Sequence, residues 1–288
     1  MYKFDPKGKA VEAALRAIAL DQLDDAMADL AAPHPQGRSV VHEVRRRCKK
    51  LRGLLRLIRQ AFPDFAIENA ALRDAAASLS HLRDAEVLRH TIADLRKWRP
   101  TPPLGRVADY LDGLPEPADF SEKLIQFRDS LLAVRQRAER WSLTRTGVEA
   151  LMPGLRTTFR DGRRKMRKAH RTGLAPAFHE WRKAVKYHGF HIDLLKRSAP
   201  DILPAELGAV DKLSALLGQH HDLAVLREAL SDRRIQIDDP ADAAAVEAAV
   251  AERSKQIEAE AADLGRQVFA EHARALASRF TAYWNSTP

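Results

Sequence analysis

Residues 42–49 read His42-Glu43-Val44-Arg45-Arg46-Arg47-Cys48-Lys49, and residues 179–186 read His179-Glu180-Trp181-Arg182-Lys183-Ala184-Val185-Lys186. A second shared phrase follows each. It is Leu79-Ser80-His81-Leu82-Arg83-Asp84 in the first copy and Leu217-Gly218-Gln219-His220-His221-Asp222 in the later one. The first pair lies 137 positions apart, from 42 to 179, and the second 138, from 84 to 222, so one insertion separates the copies. A repeat of this length is a duplicated subdomain rather than a solenoid unit. It divides the chain into halves at 1–145 and 146–288, expected to form one domain together. What is duplicated is a cationic helix face.

Residues 38–60 carry nine Lys/Arg and one acid, Glu43. His42, Arg45, Lys49, Arg52 and Arg56 recur every three or four positions and therefore share one helical stripe, with Arg46 beside it. Val41, Val44, Cys48, Leu51, Leu55 and Ile58 form the apolar stripe. Like charges at helical spacing repel, so something anionic must offset the row. His179, Arg182, Lys183 and Lys186 stand in the matching frame. Residues 156–171 hold eight Lys/Arg, among them Arg156, Arg160, Arg163, Arg164 and Arg167, against Asp161 alone. Residues 240–272 show the opposite bias, seven acids to three bases. Charge is thus segregated by element.

The totals agree. The chain has 288 residues, 45% of them apolar, which is enough for a sizeable core. The 48 basic and 39 acidic residues give a net charge of +9, which makes polyanions plausible partners. One cysteine, Cys48, excludes an internal disulfide and a cysteine zinc cluster; alignment with Val185 marks it as a core residue. No apolar run approaches the roughly 20 residues of a membrane span, and the start lacks a signal-peptide pattern, so a cytoplasmic location is expected. Strand patterns are missing and helical periodicity is pervasive. The spacing predicts helices near residues 15–30, 40–61, 67–98 (bent near Asp84) and 121–143, with a proline-rich loop over 100–120. The second half repeats the plan near 148–170, from Pro176 onward, 205–231 and 240–280. The expected fold is all-α, two four-helix bundles related by a pseudo-two-fold axis.

Arginine's planar fork suits phosphate oxygens, and lysine adds a point charge. A linear phosphate polymer can follow a row of cations that advances about 5 Å per helical turn. Nucleic acid is the second reading, but single-strand binders usually offer aromatic platforms, and aromatics are 6% of this chain. His42 and His179 sit near helix starts, where the dipole and neighbouring cations oppose protonation and a bound polyanion favours it. His188, His191, His220 and His221, with Asp222, invite a metal reading. The first half carries Leu51 and Leu54 where the second has His188 and His191, so such a site would be one-sided, and no metal site is assigned. The matched Asp84 and Asp222 are expected to hold a basic side chain or cap a helix after a bend. No phosphate-binding loop, nucleophile elbow or HExxH motif occurs, so the expectation is a binding protein without a cofactor, not an enzyme.

At these residues the chain resembles the CHAD family, the conserved histidine α-helical domain. The resemblance rests on the paired phrases at His42 and His179, the later Leu82-Arg83-Asp84 and His220-His221-Asp222 phrases, and the arginine-rich helix before His179. It covers nearly the whole chain and implies two four-helix bundles with a basic central surface. The implied partner is inorganic polyphosphate, with recruitment to polyphosphate granules. Carried over by position, the implied contacts are His42, Arg45, Lys49, Arg52, His179, Arg182 and Lys186, with Arg160, Arg163 and Arg164. Gly189 departs from the pattern, standing where Arg52 would call for a base. RNA binding and a phosphate- or metal-handling enzyme are the alternatives.

Overall fold

The computed structural model describes residues 2–8, 10–32, 38–80, 82, 84–113 and 119–286. It is all-α. The described residues form α1 (Val11–Ala31), α2 (Arg38–Ile58), α3 (Phe65–Ser78), α4 (Asp84–Trp98), α5 (Pro102–Asp112), α6 (Phe120–Ala138), α7 (Gly147–Thr172), α8 (Ala175–Leu195), α9 (Leu203–Ser231), α10 (Pro240–Val268) and α11 (Ala273–Ser286). Pro33 and Pro35, read as ending the first helix, and His81 and Arg83 lie outside the described residues.

Two groups of four helices make the body. In the first, α1, α2, α3 and α6 pack around a ring; in the second, α7, α8, α9 and α10 do the same, with α11 laid against α7. α2 joins the groups by packing on both α7 and α8. The reason lies in its two stripes. Val44, Cys48, Leu51, Leu55 and Ile58 are fully buried, as the spacing requires. Glycine permits the closest approaches. A Cβ on Gly154 of α7 would run into the Leu57 carbonyl of α2, and one on Gly265 of α10 would fall 2.6 Å from the Trp181 ring.

Three expectations need correction. The 67–98 stretch is two helices, because α3 packs on α2 and α6 whereas α4 turns away to pack on α9. The expected 100–120 loop contains α5. Pro102 and Pro103 begin it, where a missing N–H breaks no intrahelical bond, and Leu104, Val107 and Leu111 bury its inner face. With Leu88, Ile92 and Leu95 of α4 they form a second core against α9 and α10, so part of the first half of the sequence packs with the second. Finally, 240–280 breaks after Val268. Phe269 turns into the core beside Phe159, ring centroids 5.1 Å apart, and the chain reverses so that Leu276 and Phe280 bury against the body. No helix among the described residues is long and apolar enough to cross a membrane.

Candidate functional site

The site forms where α2 crosses α8. Gly53 meets Phe190 so closely that a Cβ there would lie 2.8 Å from the Phe190 side chain. The His191 Nε2 is 3.0 Å from the Gly53 carbonyl oxygen and donates to it. This crossing sets the polar flanks of both helices on one cavity of about 330 Å³. α2 contributes Arg45, Lys49 and Arg52; α8 contributes His179, Arg182, Lys183 and Lys186; α9 adds His221 and Asp222, and α4 adds Asp84. Six Lys/Arg thus face two aspartates. The two copies of the basic phrase, 137 positions apart, line the same trough.

Local contacts hold the cations in place. Arg45 Nη1 donates to the Ala76 carbonyl at the end of α3 and to Ser80 Oγ at 3.0 Å. Arg52 donates from Nε to Asn69 Oδ1 at 3.3 Å. Burial lowers the Arg52 pKa, and neighbouring Arg56 and Arg73 push the same way, marking a cation withdrawn from water more than it is neutralised. Gly189 also finds its reason. It is buried, and a Cβ there would already sit 3.3 Å from Val210 of α9, so α8 has no room for a third base one turn on.

His179 and His221 face each other, Nδ1 to Nδ1 at 3.2 Å. Burial, then Lys183 and Arg182, lowers the His179 pKa. Burial, then His179, Arg182, His220 and Lys49, pushes His221 down to about 3. Both imidazoles are therefore neutral at pH 7, as the sequence argument expected of His179 in a cationic neighbourhood. His220 turns away to Glu258, Nε2 to Oε1 2.9 Å. His188 and His191 are buried rather than exposed to a cavity. Asp84 opens α4, consistent with a helix-start role, whereas Asp222 lies within the unbroken α9 and caps nothing. Both border the trough.

A smaller cavity of about 140 Å³ adjoins the trough between α2, α7 and α8. Arg52, Lys183 and Tyr187 border both spaces, and Arg56, Arg59, Lys165 and Glu180 belong to the smaller one. Arg56 lies over the Tyr187 ring at 4.4 Å.

Other expected contacts point elsewhere. His42 is exposed at the start of α2, and exposed Arg46 turns back to Glu43. On α7 the flank that reaches the smaller cavity is Thr157, Asp161 and Lys165. At 100° per residue Arg156, Arg160, Arg163 and Arg167 point away from that flank, whereas Arg164 stands at its edge. Arg156 lines a groove with Ala277 and Thr281 of α11, Arg163 lies 3.3 Å from His272, Arg164 pairs with Asp161, and Arg160 and Arg167 are exposed. The sequence reading missed Lys165, Arg59, Ser80 and Tyr187 as lining residues. Position on the inward flank of α7 was the only signal for Lys165, and it requires the neighbours of α7 to be known.

The family model for the CHAD domain matches residues 17–231. Among solved structures, PptA from Streptomyces chartreusis superposes with a TM-score of 0.59 at 14% identity, covering 91% of this chain and 100% of that one. At that identity the likeness concerns the fold. No curated protein matches the chain.

Proposed function

The chain belongs to the CHAD domain family, and from that premise we propose that it binds inorganic polyphosphate in the trough between α2 and α8. The observation that carries this reading is the meeting of Arg45, Lys49, Arg52, Arg182, Lys183 and Lys186 around one space. Forked and point cations on two facing helices suit a flexible chain of phosphates, which presents anionic oxygens on every side. RNA fits less well. Its bases need free aromatic faces, whereas Arg56 already covers Tyr187 and Phe190 is pressed against Gly53. Binding proceeds without turnover, and recruitment to cytoplasmic polyphosphate granules is the cellular consequence of this reading.

The test replaces Arg45, Lys49, Arg182 and Lys186 together by alanine. Retention of polyphosphate should be lost while helical circular dichroism persists. Unchanged retention by the folded variant refutes the reading. A competition between RNA and polyphosphate that RNA wins at physiological salt reverses it in favour of nucleic acid. Shortening of polyphosphate incubated with magnesium and purified protein would replace binding by catalysis.

A further inference from the structure

The smaller cavity between α2, α7 and α8 contains five Lys/Arg: Arg52, Arg56, Arg59, Lys165 and Lys183. Two carboxylates also border it. Asp161 is engaged by Arg164 at 3.2 Å. Glu180 sits differently. Its Oε2 accepts from Lys165 Nζ of α7 at 3.2 Å, and its Oε1 pairs with Lys183 of its own helix. One carboxylate therefore bridges two helices across a basic cavity, as a phosphate oxygen pair would. Glu43, its match in the first copy, pairs with Arg46 on its own helix. The duplication thus preserved the residue but not its place. Lys183 and Lys165 hold the Glu180 carboxyl below its ordinary range against the opposing effect of burial, so it stays ionised. A buried guanidinium atom, Arg56 Nε, has no hydrogen-bond partner among the described residues. The cavity is over-supplied with donors even with Glu180 present.

We propose that this cavity is a second phosphate subsite, continuous with the trough through Arg52 and Lys183, and that Glu180 occupies it as an internal competitor until a chain long enough to leave the trough displaces its carboxylate. The inference rests on the polyphosphate reading and adds length discrimination to it. A short chain fills the trough and leaves the contact between Glu180 and Lys165 intact. A long chain continues past Lys183, takes Lys165 from Glu180 and gains the arginines of α2. Glu180 thus sets a threshold in chain length, because Lys165 lies in the smaller cavity alone.

The experiment measures binding of tripolyphosphate and of long-chain polyphosphate to wild type, Glu180→Gln, and Glu180→Gln with Lys165→Ala. The glutamine keeps shape and removes charge at a half-exposed position, so folding is preserved. Long-chain affinity should rise on the order of 10-fold in Glu180→Gln, the worth of one more charge-assisted contact, with a steeper salt dependence, while tripolyphosphate, which reaches Lys183 but not Lys165, gains several-fold less on the same scale. Adding Lys165→Ala should cancel the excess of the long-chain gain over the short-chain gain. Equal gains for both lengths, no gain for the long chain, or a long-chain excess that survives Lys165→Ala each overturn the subsite. If wild type binds neither length, the parent reading falls and this one with it; tripolyphosphate binding with an indifferent Glu180→Gln refutes the subsite alone.

Discussion

Replacing Lys49 and Lys186 by alanine tests the trough through its salt dependence. The two residues are matched by the repeat, stand on α2 and α8, and border the same cavity. Six Lys/Arg line that cavity. If each neutralises one phosphate charge, the single-strand value of about 0.7 counterions per contact gives a log–log slope near −4. Affinity then falls about 300-fold between about 50 and 200 mM salt. The double variant keeps four cations, so its slope relaxes to about −3 and the same step costs about 50-fold. At fixed low salt, two charge-assisted contacts of about 1.5 kcal/mol each correspond to a loss on the order of 100-fold in Kd. Fluorescence anisotropy of end-labelled polyphosphate at stepped salt reads both quantities. Arg46→Ala is the control, since that side chain is exposed and turned to Glu43, and it should leave the slope unchanged. A double variant with the wild-type slope, or an Arg46→Ala slope that drops equally, would show that phosphate does not lie between α2 and α8.

The histidine pair makes binding pH-dependent. His221 is pushed down to about 3 and His179 below its ordinary 6.5 in the free protein. A polyanion raises both, so the complex takes up protons and affinity strengthens as pH falls below 6.5, by at most about tenfold per pH unit per histidine protonated. His179→Gln with His221→Gln should flatten the profile of a binding titration from neutral to mildly acid pH, and a wild-type affinity that weakens on acidification contradicts the argument. A third prediction concerns stability. His188 is buried between Phe159 and Phe269, and neither ring nitrogen has a partner among the described residues. Its pKa is pushed down to about 3 by burial, then by Arg279. The folded pKa lies below the unfolded one, so this stabilisation is complete above about 6.5 and is lost as pH falls toward 3, roughly 2 kcal/mol by pH 5. His188→Leu, the residue type at the matched Leu51, should raise stability by about 1–3 kcal/mol at pH 7 and flatten the acid limb of urea midpoints; an unchanged acid limb would assign the sensitivity to His191 and His221 instead.

What could be read from the sequence follows the range of the forces involved. Helical periodicity is local, so the all-α class, the burial of Cys48 and Trp181, and the stripes on α2 and α8 were legible from spacing alone. Duplication extended the reading, because two copies of one basic phrase are simplest to explain if they serve one site. Prolines misled at 100–120, since Pro102 and Pro103 both start a helix and break one, and only the packing of Leu104, Val107 and Leu111 with α4 and α10 decides between these.

Periodicity fixes where a side chain stands around its own helix axis, not which neighbour that direction meets. Spacing alone therefore establishes a helical chain with duplicated cationic rows. Packing settles that α2 and α8 meet across a trough that Arg156, Arg160, Arg163, Arg164 and Arg167 of α7 do not line. The rotational setting of α7 comes from Gly154 against the Leu57 carbonyl, and that of α8 from Phe190 over Gly53. Those close approaches join residues about a hundred or more positions apart, and their geometry exists only once the helices have packed.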